Sequence, residues 1–301
     1  MGSDARQISA LRADGENRRY LPGALLPASL SPTESLELAV SGASVLVLAV
    51  PSGALEEVLA HAAPFLPTGV DLVLASKGID PHTLEVPSDV AARLAPGRGI
   101  VALSGPNLAR EVAAGVPTAA VAASSDPKAA ERVAHLFNRP TFRTYVGDDI
   151  LGVEIGGAVK NVLAIAGGVS DGLGYGDNTK AALMTRGLAE MARLGVVLGA
   201  RRETFYGLAG VGDLMATAAS RLSRNWRVGN ALASGKPLGE ILSELGQVAE
   251  GVPTAAAVAR LSEKHGVSMP VCVTVHALLE GRLAPREGVA LLTENRTARE
   301  E

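Results

Sequence analysis

The hydrophobic pattern of this chain changes character near its midpoint. Before about residue 148, unbroken apolar runs alternate with helix-period stretches and are punctuated by Pro, Gly and Ser. "VLVLAV" at 45–50, "GVDLVLASKGI" at 69–79, "GIVALSGPN" at 99–107, "TAAVAASS" at 118–125 and "TFRTYV" at 141–146 read as strands. Helices are predicted near 53–63, 84–94, 107–114 and 127–137, and "SDARQISALRADG" at the start also reads as helical. Continuous apolar strands joined by helices describe a parallel sheet covered on both faces. Such an open α/β sheet binds ligands beyond the carboxyl ends of its strands. Three polar signatures fall there: Pro51-Ser52, Lys77-Gly78 and Ser104-Gly105-Pro106-Asn107.

After residue 148 the strand pattern stops. Segments 150–165, 176–198, 226–233, 237–244, 252–264, 270–280 and 284–293 all read as helices. The expected organisation is therefore an α/β domain over 1–148 followed by an all-helical domain over 149–301, with a ligand held in the cleft between them.

Composition narrows the function classes. The 301 residues are 47% hydrophobic but only 3% aromatic, with Trp226 the sole tryptophan, so the cores are expected to be aliphatic and closely packed. A formal charge of -3 gives no bias toward nucleic acid or anionic membrane. A single cysteine, Cys272, excludes an intrachain disulfide framework and points to a cytoplasmic setting. Scattered histidines and the lone cysteine imply no metal site. The N-terminus has no apolar stretch suited to a signal peptide, and Lys160, in the middle of the Gly/Ala-rich stretch 155–170, argues against a membrane span there.

Lys160 poses the main chemical question. An ammonium in an apolar helix must either snorkel to water or sit in a polar pocket that uses its charge. On a helix it shares a face with Gly156, Gly157, Leu163, Ala164 and Gly167, and glycines clustered on one face suggest close approach of another backbone or of a ligand. Helix packing with a snorkelling lysine and a functional amine both remain open locally. "SDGLGYGDNTK" (170–180) places Asp171 and Asp177 among glycines, followed by an Asn-Thr pair able to cap a helix. Thr217 lies one helical turn beyond Asp213. Ser223-Arg224-Asn225 could clasp a phosphate through a guanidinium fork, an amide and backbone donors, or form a solvated turn. Lys77 closes a strand, where it could meet a ligand, and "LSGPN" gives the neighbouring strand end a flexible approach.

Taken in order, "ENRRYLPG", "VLAVPS", "SKGI", "LSGPNLAREVAAG", "VEIGGAVKNVLAIAGGVSDGLGYGDNTKAALMTRGLAEMARL", "GLAGVGDLMAT", "SRNWRVGN" and "GQVAEG" resemble the bacterial NAD(P)-dependent glycerol-3-phosphate dehydrogenases. The resemblance implies hydride transfer between NAD or NADP and the pair dihydroxyacetone phosphate and sn-glycerol 3-phosphate, supplying glycerophospholipid synthesis. It implies a homodimer, Lys160 as catalytic lysine, and Lys77 contacting both cofactor and substrate. Gly105, Asn107, Asp213, Thr217, Ser223, Arg224 and Asn225 correspond to substrate positions. Ala109, Arg224, Val248 and Glu250 correspond to cofactor positions. The family opens with a strand, a glycine-rich pyrophosphate loop with its helix, and a second strand. No G-x-G-x-x-G occurs before residue 45, so the expectation is an N-terminally incomplete Rossmann-type sheet domain, through a misplaced start codon or a shortened paralogue. A paralogue acting as a small-molecule binding protein or helical dimerisation scaffold is the other reading the sequence leaves open.

Overall fold

The structure, a computed structural model, describes residues 5–293. It divides into two compact units: 1–76 with 87–103 and 107–150, and 77–86 with 104–106 and 151–301.

The first unit opens with helices α1 (Ala5–Asp14) and α2 (Leu36–Val40). Strands β1 (Val45–Leu48), β2 (Asp71–Leu74), β3 (Ile100–Ser104), β4 (Thr118–Ala123) and β5 (Phe142–Gly147) then alternate with α3 (Ser52–Ala62), α4 (Pro87–Leu94), α5 (Ala109–Ala113) and α6 (Pro127–Phe137). The sheet order is β1-β2-β3-β4-β5, and the pairs β1/β2, β2/β3 and β4/β5 are parallel. Side chains on β2 alternate between two cores. Leu72 and Leu74 pack with Leu55, Leu59 and Val90, whereas Val73 packs with Val101, Ala120 and Val133. Both faces of the strand are thus covered, which is why its sequence is continuously apolar. The exception proves costly enough to require a partner: buried Asp71 is held bidentately by Arg132 at 2.8 Å on each oxygen.

Local signals set several boundaries. Asp126 caps α6 by accepting from the Lys128 amide, and Pro127 supplies the first helical φ. The predicted helix 107–114 is only a single turn, because Pro106 and the left-handed Gly115 bracket it.

The second unit contains α7 (Ile150–Gly172), α8 (Asp177–Val197), α9 (Asp213–Ala219), α10 (Arg224–Ala233), α11 (Leu238–Leu245), α12 (Gly251–His265), α13 (Pro270–Leu279) and α14 (Pro285–Thr293). Its core joins Ile155, Val159, Leu163, Met191, Leu194, Phe205, Val228 and Val258. Segment 77–86 belongs here because Ile79 and Val86 are buried in this core and Arg260 donates to the Pro81 and His82 carbonyls.

Helix α7 continues seven residues past the predicted end at 165, through Gly167 and Gly168. A Cβ on Gly168 would lie 2.0 Å from the Trp226 carbonyl oxygen, and one on Gly229 would lie 2.0 Å from that of Ile165. Backbones of α7 and α10 meet directly at these two glycines, and the contact outweighs their poor helix propensity of about 1 kcal/mol each. Among the described helices α7 alone is long and apolar enough to cross a membrane, yet 89% of its apolar window is buried within the protein. Helix α8 starts at Asp177 with Gly176 as N-cap, so Asn178 and Thr179 lie inside the first turn and do not cap it.

Candidate active site

The second unit brings Lys77, Gly105, Lys160, Asp213 and Thr217 together. Lys160 projects from the middle of α7 and is only 7% exposed, so it does not snorkel. Its Nζ donates to Asp213 Oδ1 at 3.0 Å and to Thr217 Oγ1 at 2.8 Å. Asp213 and Thr217 sit one turn apart on α9, and Thr217 donates to the same Oδ1 at 3.0 Å. The other carboxylate oxygen, Oδ2, accepts from Lys77 Nζ at 2.7 Å, and Lys77 Nζ also donates to the Gly105 carbonyl at 3.0 Å. Asp213 therefore bridges two lysines that come from segments far apart in sequence.

Helix α9 presents Asp213 from its first residue, immediately after a π-helical turn at Leu208–Gly212. That turn packs tightly: a Cβ on Gly210 would fall 2.1 Å from the Phe205 carbonyl, and a Cβ on Gly156 would fall 2.6 Å from that of Ala209. Single π-turns are rare and recur at functional sites. Gly157, one residue further along α7, leaves room for Ser104 Oγ and the Lys77 stem.

Charge follows from this geometry. Burial disfavours the Lys160 ammonium and outweighs the attraction of Asp213, and the Lys77 charge adds repulsion, so its pKa drops to about 8. Burial also opposes ionisation of Asp213, but the two ammonium groups overcome it and hold the carboxyl below the ordinary carboxylate range. At neutral pH Lys160 remains about ten to one in the acid form.

A second network orients Lys77 through its peptide. Glu250 Oε2 accepts from the Lys77 amide at 3.3 Å, and Asn161 Nδ2 donates to the Lys77 carbonyl at 2.9 Å. Asn161 Oδ1 accepts from Asn225 Nδ2 at 2.7 Å, and Asn225 Oδ1 accepts from the Gly251 amide at 3.0 Å. Since Glu250 and Gly251 are neighbours, the hydrogen bonds close a ring around the Lys77 peptide. The Gly251 amide is an obligate donor, so it fixes the orientation of both asparagine side chains. A side chain at Gly251 would collide with the Asn161 carbonyl.

The sequence reading missed Asn161. The available signal was a buried amide beside Lys160 in an otherwise apolar helix, which needs partners to offset its desolvation. Ser223 caps α10 by accepting from the Trp226 amide at 3.2 Å, and Arg224, the first residue of α10, is exposed, its guanidinium having no hydrogen-bond partner among the described residues. Val248 is 47% exposed in the loop before α12. Asn107 and Ala109 belong to the first unit, just before and at the start of α5.

Residues 1–130 match the model for the N-terminus of NAD-dependent glycerol-3-phosphate dehydrogenase, and residues 149–290 match the model for its C-terminus. The chain belongs to the NAD-dependent glycerol-3-phosphate dehydrogenase family. A glycerol-3-phosphate dehydrogenase of the NAD(P)+ type from Geobacter sulfurreducens is 50% identical over 289 residues, covering 95% of this chain and 86% of that one. The Bacillus subtilis enzyme of the same name is 48% identical over 273 residues, covering 88% and 77%. A crystal structure of glycerol-3-phosphate dehydrogenase from Coxiella burnetii superimposes with a TM-score of 0.94 at 37% identity, covering 97% of this chain and 90% of that one.

Three side chains of the second unit have chemistry that parts of the family's dinucleotide, anionic at its phosphates and apolar on its ring faces, would meet, whereas the glycine-rich motif for its pyrophosphate does not occur in the sequence. Ser104 Oγ is buried without a partner among the described residues, Arg224 offers an uncommitted guanidinium fork, and Val248 offers an exposed apolar face.

Proposed function

We propose that the chain reversibly reduces dihydroxyacetone phosphate to sn-glycerol 3-phosphate, with Lys160 as the proton donor to the carbonyl oxygen. The observation that carries this reading is the arrangement of one buried ammonium. An ammonium has three donors. Two are committed to Asp213 and Thr217, which leaves the third for the substrate oxygen in this reading.

NAD(P)H, when bound, would supply the hydride that the carbonyl carbon takes up. As that carbon is reduced, negative charge grows on its oxygen, and Lys160 stabilises the charge and then delivers the proton. In the oxidation direction Lys160 takes that proton back from the alcohol. Asp213 keeps Lys160 charged against its burial, and its second oxygen holds Lys77 beside it. Lys77 contacts both substrate and cofactor in this reading. Gly105 and Asn107 line the substrate in this reading, and Ser223, Arg224 and Asn225 receive its phosphate at the N-terminus of α10, since the first backbone donors of a helix and a guanidinium both suit an anion. Lys77, Ala109, Arg224, Val248 and Glu250 would hold the dinucleotide. We assign the reaction to the cytoplasm, where the product feeds glycerophospholipid synthesis, and take the working form to be a homodimer.

The test is oxidation of NADH and of NADPH by the purified chain with dihydroxyacetone phosphate and with unphosphorylated dihydroxyacetone. Turnover is expected with the phosphorylated ketone. Lys160→Met is expected to reduce it by about 10²- to 10⁴-fold, and near-normal turnover in that variant would sink the assignment.

A further inference from the structure

Asp171, in the last turn of α7, belongs to none of the groups above, yet it joins three helices. Its Oδ2 accepts from Lys180 Nζ on α8 at 2.6 Å and from the indole Nε1 of Trp226 on α10 at 2.7 Å. Trp226 is nine-tenths buried and follows Arg224 and Asn225 directly in the first turn of α10. The same residue is held at both ends: its backbone amide donates to Ser223 Oγ, and its side chain donates to Asp171. A donor-only indole has one direction in which to hydrogen-bond, so the pair constrains the roll of α10 about its axis as well as its position. The backbone contact at Gly168 and Gly229 fixes how closely α10 approaches α7, but two glycines offer no side chain to resist sliding.

We propose that Asp171 is a positioning residue for substrate phosphate recognition, acting through Trp226 to fix the turn that presents Arg224 and Asn225. The inference rests on the assignment of Arg224 to the phosphate. Lys160 is held by α9, through Asp213 and Thr217, and not by α10, so the proton-donating group keeps its place when Asp171 is altered. The expected signature is therefore weakened binding of the phosphorylated substrate with little change in the chemical step. Lys180 neutralises the carboxylate and anchors it from α8; its aliphatic stem lies near the position a Gly167 Cβ would occupy.

The experiment compares Asp171→Ala, Asp171→Asn, Trp226→Phe and the double variant Asp171→Ala/Trp226→Phe, with Arg224→Ala as reference. Steady-state kinetics are measured with dihydroxyacetone phosphate, dihydroxyacetone and NADH. Asp171→Ala and Trp226→Phe should each raise KM for the phosphorylated ketone about tenfold with kcat within about twofold of the parent, and because Arg224 also faces the dinucleotide any rise in the KM for NADH should not exceed that of Arg224→Ala. Asp171→Asn keeps an acceptor for the indole and should recover most of that loss. The double variant should be no worse than either single one, because both remove the same bond. Unchanged KM in both single variants, an equal loss with unphosphorylated dihydroxyacetone, or additive losses in the double variant would overturn the inference. Should Arg224→Ala itself retain the preference for the phosphorylated ketone, the underlying assignment of Arg224 fails. Loss of preference in Arg224→Ala but in neither Asp171→Ala nor Trp226→Phe overturns only the role of Asp171.

Discussion

Lys160 Nζ and Asp213 Oδ1 lie 3.0 Å apart although 53 residues separate them in the chain. Neither charge would be tolerated at its depth without the other. The pairing places a titratable acid inside a helical core and sets the pH at which it works.

With Lys160 at about pKa 8, ketone reduction should be limited by one proton on the alkaline side. Its kcat/KM is expected to be flat below about pH 7 and to fall about tenfold per unit above pH 8. Oxidation of the alcohol, which needs the neutral amine, should rise through the same pH. A reduction profile that stays flat to pH 10 in the parent would remove Lys160 from the proton-donor role.

The same shift carries a stability consequence with a defined sign. An unfolded lysine keeps its proton to about pH 10.4, whereas the folded chain releases it near 8. Between those values the unfolded state binds more protons, so this group makes the fold more stable as pH rises. Denaturant midpoints of the parent and of Lys160→Met, measured across that window, should converge or diverge accordingly: the parent gains relative to the variant as pH increases.

Asp213→Asn leaves Lys77 and Lys160 facing each other without the anion between them. Losing one partner of a buried ion pair costs about 3–5 kcal/mol, which should appear as a large drop in the urea midpoint. In whatever fraction remains folded, the alkaline limb of the rate profile should move below pH 8, since attraction to Asp213 supports the Lys160 charge.

Asn161→Ala opens the ring around the Lys77 peptide. It strands the Lys77 carbonyl and one side of the Asn225 amide, at about 1–3 kcal/mol for each buried group left unpaired. Equilibrium unfolding should register that loss, and kcat/KM for dihydroxyacetone phosphate should fall as well, because Lys77 and Asn225 both lose their alignment. Wild-type kinetics in a destabilised Asn161→Ala protein would separate the ring from function.

Helix contact predicts opposite outcomes for two glycines. Gly168→Ala forces a Cβ to within 2.0 Å of the Trp226 carbonyl, so α7 and α10 must separate, at about 1–3 kcal/mol or more. Gly239→Ala meets nothing within 4 Å, has no positive φ, and lies in α11, so it should be neutral or stabilising by up to about 1 kcal/mol. Thermal denaturation of the two variants side by side checks the pair.

What the sequence determined by itself is governed by interactions spanning a few residues. The unbroken apolar run of β2 requires two covered faces wherever the strand sits. Asp126-Pro127 starts α6 and Ser223 starts α10 because a cap and its amide are near neighbours in the chain. The four-residue spacing of Asp213 and Thr217 likewise becomes a hydrogen bond as soon as a helix forms. Tertiary structure alone decided the rest, because those outcomes depend on energies supplied by residues distant in sequence. Local propensity ends α7 near its glycines, and only the close approach of α10 carries it on to Gly172. Whether Lys160 snorkels or serves could not be read from α7, since the choice turns on Asp213 arriving from α9. Lys77 follows a strand of the first unit, yet it joins the second because Ile79 and Val86 bury there and because Glu250 and Asn161 hold both sides of its peptide. Asn161 gave no periodic signal at all, because the role of a buried amide is defined by what its partners need, and those partners meet it only in the folded chain.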